Sequence, residues 1–253
     1  MSIQHTHFTD VSAPAFDLRP ASKEGRKRLG LFDARIRDRH IKLRARFRDQ
    51  EAEHLSDAEL LELVLLPSMP RKDTRPFARQ LLAEFGDIAS ALNADNARIE
   101  SIIGATAAQD LKLVYATSKR LAKARISHRP LISSWDAVLT YCRTALAHKE
   151  TEEFRVLFLD RRNMLIADEV LGVGTVDHVP VYPREVLKRA LELNSCAIIL
   201  VHNHPSGDPT PSQSDIEMTK LIKQAADSLS ITLHVHLIIG ASGETSFVSS
   251  GLL

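Results

Sequence analysis

The chain has 253 residues, of which 44% are hydrophobic and 26% charged, and its formal net charge is +1. That length suits two modest domains of ~100 to 200 residues, or one domain with an appendage, and that composition excludes a wholly disordered or fibrous chain. Two cysteines, Cys142 and Cys196, exclude a disulfide framework and read as small core residues, while no apolar run approaches the ~20 residues that span a bilayer.

Charge divides the chain near Pro130: residues 1–130 carry 23 Lys+Arg against 17 Asp+Glu, and the remainder carries 10 against 15. Such an asymmetry points to two units with different partners. Residues 1–20 mix Pro, Ser, Thr and polar residues without periodicity and are expected to form a mobile tail. They show neither the basic start nor the apolar centre of a secretory signal, so a cytoplasmic protein is expected. From Lys23 to Arg48 there are 11 Lys+Arg against 3 Asp+Glu. A run of this kind reads either as a solvated helix face or tail, or as a surface attracted to nucleic acid or another acidic partner.

Ser56-Asp57-Ala58-Glu59 has the form of a capping box ahead of Leu60, Leu61, Leu63 and Val64, and predicts a helix start. A second helix is expected over Arg75–Phe85, ended by Gly86. Further helices are expected from Asp95 to Ile103 and from Thr106 to about Lys123, broken at Gly104. The stretch ARIESIIGATAAQDLKL has the outline of a helix-hairpin-helix, whose turn would present backbone amides to a DNA phosphate at Gly104. Turns of that kind usually hold two glycines one residue apart, and here Ile102 and Thr106 stand where the second would be.

After Pro130 the pattern becomes mixed α and β. Trp135–Ala147 reads as a helix, Phe154–Leu159 and Met164–Val170 as a hairpin turning at Asp160–Asn163, and Pro183 opens another helix. The apolar run Cys196–Val201 reads as a central strand, Ser212–Leu229 as an amphipathic helix, and Ile231–Ile239 as a further strand. The expected division is a basic, partly disordered segment over 1–48, a small all-α unit over 49–127, and an α/β unit over 128–253.

The chemistry concentrates in HNHPSGDPTPSQSD, from His202 to Asp215. His202 and His204 stand two apart at a strand end, so both imidazoles leave one face. Asp215, in the first turn of the next helix, can return as a third ligand. Two imidazoles and a carboxylate suit one zinc ion per chain and leave a coordination position open, as in catalytic sites. A general base is sought upstream in KETEEFRVLFLD, where spacing does not choose among Glu150, Glu152 and Glu153. Ser212 is a candidate donor to a developing oxyanion. Each fragment has a plainer reading: Ser212-x-x-Asp215 is also a capping box, and the His-x-His spacing recurs at His5-Thr6-His7 and His234-Val235-His236. A nucleobase deaminase is set aside because its H-x-E with P-C-x-x-C is missing, and the letters HNH do not make the dispersed site of an HNH nuclease.

Taken together, His202-x-His204, seven residues, then Ser212-x-x-Asp215 resemble the JAMM signature of the MPN+ metallopeptidases. The fuller text, from EEFRVLFLDRRN through GTVDHVPVYPREVLKRALELN to VHNHPSGDPTPSQSD, resembles the RadC family, traditionally labelled as DNA repair proteins. The resemblance implies an MPN (JAMM) α/β domain with a mixed central sheet flanked by helices, after a helix-hairpin-helix-like domain. It implies zinc on His202, His204 and Asp215, with Ser212 assisting at the oxyanion. Setting Val156-Leu157 in the family's register makes Glu152 the acid/base. The implied activity is hydrolysis of a peptide or isopeptide amide; the alternative is a DNA-binding accessory protein whose MPN unit is a scaffold.

Overall fold

The computed structural model describes residues 23–50, 54–127, 130–174 and 181–253, and the expected tail over 1–20 lies outside the described residues. The basic run forms α1 (Lys23–Gln50), which continues past the expected boundary at 48. Its Ile36 and Leu43 are buried, and Arg39 reaches Glu62 at 2.7 Å, so the second half of α1 packs on the helical unit. α2 (Asp57–Leu65) starts on the expected capping box, with Ser56 Oγ accepting from Glu59 N and Ser56 N donating to the Glu59 carboxylate. α3 (Arg75–Phe85) ends at Gly86, whose φ of +90° favours glycine. α4 (Ile88–Asn93), α5 (Asn96–Ile103) and α6 (Ala105–Ser127) follow, with Gly104 exposed between the last two at φ +82°. Leu61, Leu65, Leu81, Ile99 and Leu111 close one core among these helices.

A short 3-10 turn, Leu131–Ser134, leads into α7 (Trp135–Leu146). Then come β1 (Glu153–Leu159), β2 (Leu165–Val173), α8 (Pro183–Glu192), β3 (Ala197–Asn203), α9 (Gln213–Ser228), β4 (Thr232–Gly240) and β5 (Gly243–Ser246). The strands lie in the order β2-β1-β3-β4-β5, antiparallel except for β3 beside β4, which makes the expected mixed sheet. β5 was not anticipated: its sequence GETS lacks the apolar alternation of a half-buried strand.

β1 and β3 are buried along their whole length because helices cover both faces of the sheet. Leu157, Leu159, Ile199, Val201, Leu237 and Ile239 pack toward α7, whereas Phe154, Val156, Phe158, Ile198 and Leu200 pack toward α8 and α9. Cys142 is buried in the first layer, and Cys196, expected in the core, is half-buried just ahead of β3. In β4 the pairing jumps from Ile198↔Leu233 to Ile199↔Val235, so His234 is the extra residue of a β-bulge. Beyond the bulge the alternation is inverted, and His236 turns toward α9.

Polar contacts join the two units: Arg98 bonds Glu150 at 2.7 Å, Ser90 Oγ lies 3.0 Å from His148 Nδ1, and Lys123 lies 3.2 Å from Asp168. No helix among the described residues is long and apolar enough to cross a membrane.

Candidate metal centre

β3 pairs His202 with Phe154 of β1 and with Ile238 of β4, which fixes its ring on the α9 face. His204 lies just past the strand end, its backbone held by His204 N donating to Ile239 O at 3.0 Å. The loop that follows is anchored on the β4–β5 turn: Gly207 O accepts from Ser242 N at 3.2 Å and from Ser242 Oγ at 2.7 Å. Gly240 permits that approach, since a Cβ there would stand 2.2 Å from Gly207 O. The chain then enters α9 with Asp215 in its first turn, pointing back to β3.

These three residues converge. His202 Nε2 and His204 Nε2 are 3.0 Å apart, and Asp215 oxygens lie 3.3 Å from the first and 3.5 Å from the second. Ligands held ~2.0 to 2.2 Å from a tetrahedral zinc ion stand ~3.3 to 3.6 Å from one another. The two Asp215 contacts, each through a different carboxylate oxygen, lie in that range and the imidazole pair stands slightly inside it, so the donor set fits that ion in type and comes close in spacing. Among the described residues this is the one group of three His, Cys, Asp or Glu close enough to hold a metal. Burial alone would raise the Asp215 carboxyl, but the His202 and His204 imidazoles beside it and the hydrogen bond from Ser212 hold it well below the usual carboxylate range. The Asp215 carboxylate beside it, opposed by burial, raises the His204 pKa.

Ser212 caps α9, and the capping box is complete. Its Oγ accepts from Asp215 N at 3.2 Å and donates to Asp215 Oδ2 at 2.6 Å, and Ser212 N donates to the same oxygen at 2.7 Å. The box therefore aims the Asp215 carboxylate; the hydroxyl hydrogen would have to leave Oδ2 to serve an oxyanion.

The three upstream glutamates separate. Glu150 is exposed and bonds Arg98. Glu153 faces α7, paired with Lys149 and, at 2.7 Å, with Arg155. Glu152 is buried, and continuing the antiparallel register of Phe154 and His202 by two residues sets it across from His204. Its negative charge contributes to the raised His204 pKa. Asn203 fixes this segment from both sides of Glu152, accepting from Glu153 N at 3.0 Å and donating to Thr151 O at 3.1 Å.

Sequence reasoning missed Asn203, Thr219 and His236. Asn203 stands in the motif but points to the opposite face from its histidine neighbours. His236 counted only as a chance repeat of the His-x-His spacing. It lies with Nε2 2.8 Å from His202 Nδ1 and Nδ1 2.6 Å from Thr219 Oγ1, and burial holds its pKa well below the ordinary value.

The family described as a RadC-like JAB domain matches residues 132–252. A UPF0758 protein of Ruegeria pomeroyi is 58% identical over 220 residues, covering 86% of this chain and 98% of its own. A UPF0758 protein of Rhodobacter capsulatus is 57% identical over 213 residues, covering 83% of this chain and all of its own. Both alignments are long enough to extend over much of the helical unit as well as the α/β unit, and the chain belongs to the RadC family.

Proposed function

We propose that this chain is a zinc-dependent hydrolase of the JAMM type that cleaves a peptide or isopeptide amide. The observation that carries the reading is the convergence of His202 Nε2, His204 Nε2 and the Asp215 carboxylate, one atom from each lying within 4.8 Å of the others, with Glu152 across the strands. Zinc bound there supplies Lewis acidity to a water molecule and to a carbonyl oxygen. Glu152 takes the proton from the attacking water and delivers it to the leaving amine. Asn203 holds the backbone on both sides of Glu152, so the carboxylate keeps its place during that exchange.

Glu152→Gln is expected to keep about one zinc per chain while hydrolysis falls by about 10²–10⁴-fold, the usual range for a lost acid/base. His202→Ala loses the metal. Metal analysis reads the first property, and a proteomic comparison of cells carrying wild type or Glu152→Gln reads the second without presupposing a substrate. Wild-type protein purified without chelator and free of zinc would overturn the reading.

A second reading concerns the helical unit, which we propose to contact DNA. Arg35, Lys42 and Arg44 of α1 are exposed, and the Gly104 turn is exposed beyond α5. Residues 1–130 carry the positive side of the charge asymmetry. Binding of duplex DNA to the full chain, followed by fluorescence anisotropy, should fall steeply with salt and survive His202→Ala. Absence of binding at low salt removes this reading and leaves the hydrolase untouched.

A further inference from the structure

We propose that His236 and Thr219 are positioning residues that lock His202 in the tautomer whose Nε2 lone pair faces the metal; the inference rests on the zinc reading above. The direction of every proton in the chain follows from one carbonyl. Thr219 Oγ1 lies 2.5 Å from Asp215 O, which can only accept, so the hydroxyl donates to it. The same Oγ1, 2.6 Å from His236 Nδ1, then accepts from that nitrogen. In a neutral imidazole a proton on Nδ1 leaves the lone pair on Nε2, and that nitrogen lies 2.8 Å from His202 Nδ1. His202 therefore carries its proton on Nδ1 and its lone pair on Nε2, the atom 3.0 Å from His204 Nε2 and 3.3 Å from Asp215 Oδ1. His204 is set the same way by a plainer device, its Nδ1 standing 2.9 Å from Asp208 O.

The chain is built as a rigid support. His236 and Thr219 are 0% exposed, and the His236 ring stacks on Phe247 at 4.7 Å and meets the edge of Phe154 at 5.8 Å. A histidine that merely filled the core would find any acceptor for its two nitrogens; here one partner is a metal-facing ring. Thr219 also ties the device to the helix that carries Asp215, because it bonds the backbone of that residue. Two of the three candidate ligands, on β3 and on α9, are thus registered to each other through His236.

The test uses the full chain with zinc alone as probe, its affinity read by competition with a chromophoric chelator. The tautomer of His202 is read by ¹⁵N imidazole shifts of the metal-free protein, and thermal unfolding of that form reports folding. Thr219→Val keeps the shape and removes the hydroxyl, so it should weaken zinc several-fold and give a mixture of His202 tautomers. Thr219→Ser should match wild type in both. His236→Ala should weaken zinc by about 10–100-fold, as loss of a partner behind a ligand does. Zinc affinity within about twofold of wild type in both Thr219→Val and His236→Ala would overturn the proposal. So would Thr219→Ser behaving like Thr219→Val, since the hydroxyl would then not be the active feature. If His236→Ala unfolds, the two Thr219 variants decide alone. Wild-type protein without zinc affinity defeats the zinc reading itself, a result distinct from either of these.

Discussion

On the α7 face of the sheet, the Arg155 guanidinium bonds Glu153 at 2.7 Å and Asp168 at 2.5 Å, and Tyr141 also donates to Asp168. On the α9 face, Asp215 lies against the imidazoles of His202 and His204 at 3.3 and 3.5 Å. Both clusters are largely buried, with His204 the half-buried member of the second. Strand alternation sends Glu153 and Asn203 to one face, Glu152 and His202 to the other. What differs is the chemistry that meets the carboxylates. Asp168 and Glu153 meet fixed cations, which makes their cluster a structural ion-pair network. Asp215 shares its corner with two imidazole nitrogens that converge on one point, a donor set that suits zinc. A buried, perturbed carboxylate is thus not by itself a mark of function; its convergence with metal-ligating nitrogens is the sharper signal.

The division is tested most sharply by Asp168→Ala. Arg155 keeps Glu153 but loses its partner on β2, and breaking a buried pair in this way costs about 3–5 kcal/mol. Urea unfolding should read that loss, while zinc bound per folded chain stays at the wild-type level. Loss of zinc in step with stability would erase the distinction between the faces.

Acid sharpens the same contrast with a smaller effect. Burial opposes ionisation of Glu153 and Asp168, but bonds from Lys149 and Arg155 to the first, and the Arg155 charge beside the second, hold both below their ordinary values of 4.5 and 3.8. A carboxyl depressed in the folded state is protonated first in the unfolded chain, so its stabilising contribution is complete above the ordinary value and is lost as pH falls through the folded one. For these two groups, thermal stability in the presence of chelator should be flat from about pH 7 to about pH 5 and decline below about pH 4. Asp168→Asn should start lower and decline less steeply. Equal slopes in the two proteins would show that the network does not govern acid unfolding.

Local signals carried much of this architecture in the sequence. The capping boxes at Ser56 and Ser212, Gly86 after α3, Pro183 at the start of α8 and the unbroken apolar run before His202 each reflect a requirement met within a few residues. His202, His204 and Asp215 were legible for the same reason, since one strand end and one helix start bring them together. Among Glu150, Glu152 and Glu153, spacing alone did not choose and only the family register pointed to Glu152; the physical ground is the pairing of β1 with β3, a contact across roughly fifty residues that periodicity does not encode. His236 was hidden more deeply. The bulge at His234 changes which face the following residues occupy, and no residue type in LHVHLIIG announces it. β5 was missed because its sequence, a glycine and three polar residues, shows no apolar alternation and pairs with β4 through the backbone.

Asn203 is the residue at which the two faces meet, and Asn203→Ala is the mildest and most discriminating change. Its amide leaves the α9 face to the neighbouring histidines and bonds Glu153 N and Thr151 O, the backbone on either side of Glu152. Removing it leaves a buried N–H and a carbonyl without those partners, a loss of about 1–3 kcal/mol, below that of Asp168→Ala because no buried charge is stranded. The Glu153 amide should lose protection from hydrogen exchange. Zinc affinity should hold, because His202 and His204 stay on the β3 register. Hydrolysis by the folded fraction should fall by more than the unfolding accounts for, since the Glu152 segment is freed while the metal ligands are not. Zinc affinity falling as far as in His202→Ala would mean that Asn203 supports the ligands rather than the base, and the partition between the two faces would fail at the residue where it is narrowest.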